Sequence, residues 1–221
     1  MVRTARVAWS GGEVTANVVG DGPVGILLAH GAGTNQSHPF MVLLRDGLAE
    51  NGYTVMTFNY AYTERGSKSP DRAERLIEVH AAAAEYLSQR TEEMFLAGRS
   101  MGGRIGTYLV AQGMEASGLI LYAYPLHPAG RPDKLRVEQF AEIDIPMLFF
   151  QGTRDALSRM ELFDVLIRPL PTADVEILEG ATHGTKGGGG WTAESMGERL
   201  ISVSTSWISK VSSGKEGSQR A

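Results

Sequence analysis

Short apolar runs alternate with longer amphipathic segments along most of the chain. Residues 3–8 and 13–19 flank a Ser-Gly-Gly turn, which predicts an antiparallel hairpin at the start. Six further runs have the length and composition of buried strands. They cover residues 25–29, 54–59, 94–97, 119–123, 147–150 and 175–178.

Segments between these runs repeat their apolar residues at helical spacing. Helices are predicted at 40–50, 71–90, 101–112, 160–167 and within 193–209. The clearest is 71–90, for which Ser69 can cap the first turn and Pro70 can start it. Strands joined by helices of this length form parallel sheets. We therefore predict an α/β fold, a mostly parallel twisted sheet with helices on both faces.

The length of 221 residues predicts one domain, spanning residues 1–209, and a disordered polar tail at 210–221. Residues 124–145 between two strands are too few for a large cap domain. No apolar run serves as a signal-peptide core or approaches the roughly 20 residues that cross a bilayer. We therefore expect a cytoplasmic protein without a membrane partner.

Charge and composition exclude several classes of function. Lys and Arg number 21 against 25 Asp and Glu, so the net charge of −4 disfavours nucleic acid as a partner. The absence of Cys excludes thiol nucleophiles and thiolate metal sites. No phosphate-binding, zinc or calcium motif occurs, so no cofactor is predicted. The sequence leaves the oligomeric state open.

Residues 98–102 read Gly-Arg-Ser-Met-Gly and lie where a predicted strand ends and a helix begins. This G-x-S-x-G pattern is typical of a tight turn that raises a serine hydroxyl above the sheet edge. Ser100 is therefore the candidate nucleophile. A structural turn with an ordinary serine cap is the alternative interpretation.

A serine nucleophile needs a base and an acid that orients the base. His30, His38, His127 and His183 follow strands or lie in loops, whereas His80 lies on the apolar face of a helix. His183 is the best placed, in a small-residue loop after the last strand, and His127 is the rival base.

Asp155 follows a strongly apolar strand and is the candidate acid. Asp144 precedes that strand, and Asp164 and Asp174 lie in or after a helix. A helix cap or a partner for Arg154 is the alternative role for Asp155.

The resulting order, Ser then Asp then His, resembles the α/β-hydrolase fold. Within that superfamily the chain is similar to small, lidless, dienelactone-hydrolase-like serine hydrolases. The motifs that carry the resemblance lie at residues 30–33, 38–40, 98–104, 125–128 and 151–155. True dienelactone hydrolases use a cysteine nucleophile, which this chain lacks.

The resemblance implies a serine hydrolase that cleaves a small carboxylic ester or thioester through an acyl-enzyme. The backbone N–H groups of Ala32, in a glycine-rich turn, and of Met101, at a helix N-terminus, are expected to hold the oxyanion. A non-catalytic interaction scaffold is the main alternative, and a peptidase or amidase is a further one.

Three more residues near the predicted strand ends are candidates for the substrate pocket. They are Arg99, Tyr124 and His127. Arg99 has two interpretations, attraction of an acidic substrate or a salt bridge or hydrogen bond to a neighbouring loop. Simple packing is the alternative role for Tyr124, and a hydrogen bond within its loop is the alternative for His127.

Overall fold

The computed structural model describes residues 1–184 and 188–218, with side chains up to residue 214. Its centre is a sheet of eight strands in the order β1-β2-β4-β3-β5-β6-β7-β8. The strands are β1 Arg3–Trp9, β2 Gly12–Val19, β3 Val24–Ala29, β4 Thr54–Phe58, β5 Glu93–Arg99, β6 Gly118–Tyr122, β7 Met147–Gly152 and β8 Ala173–Leu178. The hairpin β1–β2 and the pair β2–β4 are antiparallel, and the other pairs are parallel. The predicted fold class is confirmed.

Helices cover both faces of the sheet. Within the described ranges they are α1 Pro39–Glu50, α2 Ala61–Glu64, α3 Ala73–Ser88, α4 Met101–Ala111, α5 Met160–Leu166 and α6 Ala193–Ser218. In β3, Ile26 and Leu28 pack with α1 and α6, while Leu27 and Ala29 pack with α3 and α4. Because both faces are covered, central parallel strands such as β3 and β6 are apolar throughout rather than alternating. The edge strand β8 is only partly buried and carries Asp174 and Glu176.

Helix α3 begins later than the sequence predicts. Arg72 takes the N-cap position and makes no side-chain capping bond. Ser69 instead donates its N–H to Ser67 Oγ at 3.1 Å, and Ser67 Oγ donates to the Ser69 carbonyl at 3.2 Å. The predicted cap at Ser69 is therefore wrong, because the two serines satisfy each other in a local turn.

Helix α6 continues to Ser218, whereas the sequence predicts its end by Ser209 and a tail from residue 210. Val211 packs against the core between α1, α6 and the sheet. Ser212 Oγ donates to Glu93 Oε2 at 2.6 Å. These contacts explain why the helix continues past Ser209. Residues 219–221 of the predicted tail lie outside the described residues.

The sequence pattern does not predict two short elements, α2 and a 3₁₀-helix at Glu138–Glu142. The 3₁₀-helix is the single helical element in the β6–β7 connection, residues 123–146, all of which the structure describes. This connection therefore holds no large cap domain. Across 1–184 and 188–218, no helix combines the length and apolarity needed to span a membrane.

Candidate active site

The turn between β5 and α4 places Ser100 at the carboxyl edge of the sheet. Its backbone φ of 51° is in the left-handed region, which is costly for a residue with a Cβ. Two hydrogen bonds hold it there: the Ser100 N–H donates to the Tyr122 carbonyl at 2.9 Å, and the Arg104 N–H donates to the Ser100 carbonyl at 3.0 Å. Such strain is characteristic of a nucleophile elbow.

The flanking glycines are required by close backbone contact. A Cβ on Gly98 would lie 2.3 Å from the backbone nitrogen of Gly103. A Cβ on Gly102 would lie 2.5 Å from the carbonyl oxygen of Ala29 in β3. Neither neighbour is a flexible side chain, so only glycine allows α4 to start this close to the sheet.

Asp155 lies in the turn after β7 and is buried. Its Oδ1 accepts the Leu157 N–H at 2.7 Å, and its own N–H donates to the Gly152 carbonyl at 3.2 Å. The second oxygen, Oδ2, lies 2.8 Å from His183 Nδ1. The carboxylate is thus fixed by its own turn and aimed at the imidazole.

His183 follows β8, and its ring joins the other two side chains. Its Nε2 lies 2.9 Å from Ser100 Oγ, and its Nδ1 contacts Asp155. A carboxylate only accepts hydrogen bonds, so we assign the ring proton to Nδ1. Nε2 is then the acceptor for the serine hydroxyl. The structure brings together the three side chains that the sequence singles out.

The glycine-rich turn after β3 lies beside this group. The carbonyl of Gly31 accepts two hydrogen bonds, from His30 Nδ1 at 2.8 Å and from Thr34 Oγ1 at 3.0 Å. Fixing this carbonyl fixes the peptide plane that also carries the Ala32 N–H. Met101 is the first residue of α4, where backbone N–H groups lack intrahelical partners. Sequence reasoning missed Thr34, which carries no motif signal of its own.

The rival base His127 has a different environment. Its Nδ1 donates to the Pro128 carbonyl at 2.9 Å, and its Nε2 accepts the Arg159 N–H at 3.3 Å. Both ring nitrogens of His127 are thus used in holding two loops together. His38 also has a structural contact: it caps α1, where its Nδ1 accepts the Phe40 N–H at 3.2 Å.

Tyr124 is also buried, with 1 % of its surface exposed. Its hydroxyl donates to the Arg136 carbonyl at 2.7 Å and accepts from Gln139 Nε2 at 2.6 Å. Burial raises the pKa of this hydroxyl well above its ordinary value. Both side chains are thus engaged in loop packing, and neither lines the small cavity beside His183. The expected place of Tyr124 and His127 in the substrate pocket stays a prediction.

Arg99, by contrast, does line that cavity, together with His183 and a set of apolar residues. These are Phe40, Tyr122, Ala123, Phe150, Leu178, Ala181, Met196 and Leu200. The cavity volume is about 30 Å³. Within the described part of the chain, no cluster of three or more His, Asp or Glu side chains is arranged to hold a metal ion.

The chain also matches a known protein family. A model of the alpha/beta hydrolase domain matches residues 23–209. The chain therefore belongs to the alpha/beta hydrolase family. The resemblance drawn from the sequence motifs is confirmed at this level.

Solved structures share the fold at low sequence identity. Est1E from Butyrivibrio proteoclasticus superposes with a TM-score of 0.74 at 12% identity, covering 93% of this chain and 99% of that one. The Pyrococcus furiosus esterase Pf2001 gives 0.77 at 13%, covering 95% and 92%. XC6422 from Xanthomonas campestris, described as a serine hydrolase without a lid, gives 0.67 at 23%, covering 82% and 85%. At these identities the likeness concerns the fold.

Proposed function

We propose that the chain is a serine hydrolase that cleaves a small carboxylic ester, or a thioester, through an acyl-enzyme and without a cofactor. One observation carries the proposal: a continuous pair of hydrogen bonds, 2.9 and 2.8 Å, joins Ser100 to His183 and His183 to Asp155. The names of the esterases and serine hydrolases that share the fold agree with it.

Acylation begins at the serine hydroxyl. Ser100 Oγ attacks the ester carbonyl carbon while His183 Nε2 takes the hydroxyl proton. Asp155 accepts from Nδ1 throughout and stabilises the imidazolium that forms. The imidazolium then gives its Nε2 proton to the leaving alcohol or thiol, so the acyl group remains on Ser100.

Deacylation reverses these roles with water. His183 accepts a proton from the water as the water oxygen bonds to the acyl carbon. The bond from that carbon to Ser100 Oγ then breaks, Oγ takes the proton from His183, and the carboxylic acid leaves. In both steps negative charge develops on the carbonyl oxygen. The N–H groups of Ala32 and Met101 are assigned to stabilise it, since an oxyanion needs donors about 3 Å away. The hydrogen bonds to the Gly31 carbonyl hold the first of them in place.

A fluorophosphonate probe tests the nucleophile directly. The wild type is expected to be labelled and Ser100→Ala to remain unlabelled. The control Ser88→Ala removes an exposed hydroxyl at the end of α3 and should be labelled like the wild type. Equal labelling of Ser100→Ala and the wild type would remove Ser100 from the mechanism.

A panel of p-nitrophenyl esters of graded chain length, with matching thioesters and anilides, tests the substrate class. Turnover of esters that disappears in Ser100→Ala supports the proposal. A preference for the anilides would favour an amidase. No turnover together with no labelling would favour a non-catalytic scaffold.

A further inference from the structure

Arg99 links the nucleophile elbow to the loop of the base. It is the last residue of β5 and directly precedes Ser100. Its Nη2 donates to the main-chain carbonyl of His183 at 2.6 Å. This bond therefore joins the residue next to the proposed nucleophile, Ser100, to the proposed base, His183.

Arg99 is half-buried. Burial lowers the pKa of Arg99 from its ordinary value, and the charge of Asp155 acts in the opposite direction. Among side chains up to residue 184 and from 188 to 214, no carboxylate forms an ion pair with it. Removing a cation from water, even in part, is costly unless its donors are used, and the His183 carbonyl is an acceptor that uses one.

The contacts of the guanidinium favour positioning over recognition. Its Nη2 is committed to the His183 carbonyl at 2.6 Å. The other walls of the cavity that Arg99 lines are mostly apolar. The contact with His183 is present without any substrate and therefore gives Arg99 a structural role.

The loop that carries His183 needs hydrogen bonds to fix its conformation. Gly180 and Gly184 flank His183, and glycine is the residue with the most backbone freedom to lose. The Arg154 N–H holds its beginning through the Ala181 carbonyl at 2.9 Å. Arg99 holds the peptide of His183 itself.

We propose that Arg99 is a positioning residue that keeps the His183 imidazole within hydrogen-bond distance of Ser100 by anchoring the His183 carbonyl. The inference rests on the proposed function for its kinetic consequence. Its geometric part, the position of the ring, is independent of catalysis.

Arg99→Met tests the kinetic consequence, since methionine suits a cavity with apolar walls. A misplacement of about 1 Å costs about 10²-fold in rate. We expect kcat to fall by about that factor, with KM little changed and with equal losses for a neutral and an anionic ester. Arg90→Met, which removes an exposed arginine that donates to the Tyr86 carbonyl at 2.6 Å, is the matched control and should retain wild-type kcat.

Two outcomes overturn the proposal: an unchanged kcat, or a loss confined to the anionic ester, which would make Arg99 a recognition residue. Adding guanidinium ion to Arg99→Ala supplies a second kinetic readout. Partial recovery of kcat supports anchoring through the side chain, and recovery absent in a folded variant contradicts it.

Proton NMR tests the position of the His183 ring without measuring turnover. The His183 Nδ1 proton bonded to Asp155 should give a low-field signal in the wild type that broadens or disappears in Arg99→Met. An unchanged signal in the folded variant overturns the anchoring role. Absence of ester turnover in the wild type would instead reject the proposed function, and the signal would still test the anchor.

Discussion

Asp155 has two acceptor oxygens with separate tasks. Oδ1 holds its own turn through the Leu157 N–H, and Oδ2 faces His183 Nδ1. The first task is structural and the second concerns the tautomer of the ring. A substitution that keeps the shape of the side chain therefore separates them.

Asp155→Asn is expected to fold normally and to lose about 10⁴-fold in kcat, because an amide that donates to Nδ1 favours the wrong tautomer. Ester turnover at pH 7 measures the loss, and circular dichroism checks the fold. Asp164→Asn on α5, which breaks an exposed pair with Arg168, is the control. A loss below tenfold would argue against Asp155 as the acid of the triad.

The sequence identified the triad candidates because each has a local signature. Ser100 lies in a glycine-flanked motif, Asp155 follows a strongly apolar strand, and His183 lies in a small-residue loop after the last strand. Tyr124 and His127 also follow a strand, but their partners, such as Gln139 and Arg159, come from distant parts of the chain. Which strand-end residues face the site is decided by these tertiary contacts, and spacing alone carries no information about them.

At the scale of elements, the contact between α4 and β3 limits which residues can replace Gly102 in the turn after Ser100. Gly102 lies over Ala29 so closely that a methyl group would overlap the carbonyl oxygen at 2.5 Å. The strand is central and paired on both sides, so it has no room to shift.

Gly102→Ala is expected to lower the free energy of unfolding by about 3 kcal/mol or more, as strong overpacking does. Gly214→Ala in α6, where an added Cβ meets nothing within 4 Å, should be neutral or stabilise by about 0.5–1 kcal/mol. Urea unfolding measures both variants. Equal stability of the two would contradict the packing that we describe.

Strands were easier to predict than helix ends. A buried run such as β7 is apolar because both faces of the sheet are covered. The start of α3 depended on a competition between Ser69 as a cap and the Ser67–Ser69 turn. The end of α6 depended on Val211 and Ser212 reaching the core and Glu93. Both outcomes are set by contacts outside the segment's own periodicity.

At the scale of the whole molecule, two buried histidines couple stability to pH. His30 and His80 are fully buried. Burial lowers the pKa of His30 to about 4 and that of His80 to about 3. Tyr60 joins them, since its N–H donates to His30 Nε2 at 3.4 Å and its hydroxyl contacts His80 Nδ1 at 3.0 Å.

Below pH about 6.5 the unfolded state takes up protons on these histidines while the folded state does not. The stability that they contribute is thus fully present above pH 6.5 and is lost as pH falls toward their folded pKa values. Between pH 7 and pH 5 the loss should be about 2 kcal/mol for each. Urea unfolding at the two pH values measures it.

His80→Gln should remove about half of that pH dependence, because glutamine does not titrate. A variant whose stability falls with pH as steeply as that of the wild type would show that His80 does not contribute.

The order of the strands also divides the chemistry along the chain. Ser100 and both proposed oxyanion donors precede the exposed Gly130, whereas Asp155 and His183 follow it. The two portions meet along the buried β6–β7 pairing. A polypeptide cut at Gly130 would separate the proposed nucleophile from the proposed base, so ester cleavage by a mixture of the two fragments would report their reassembly.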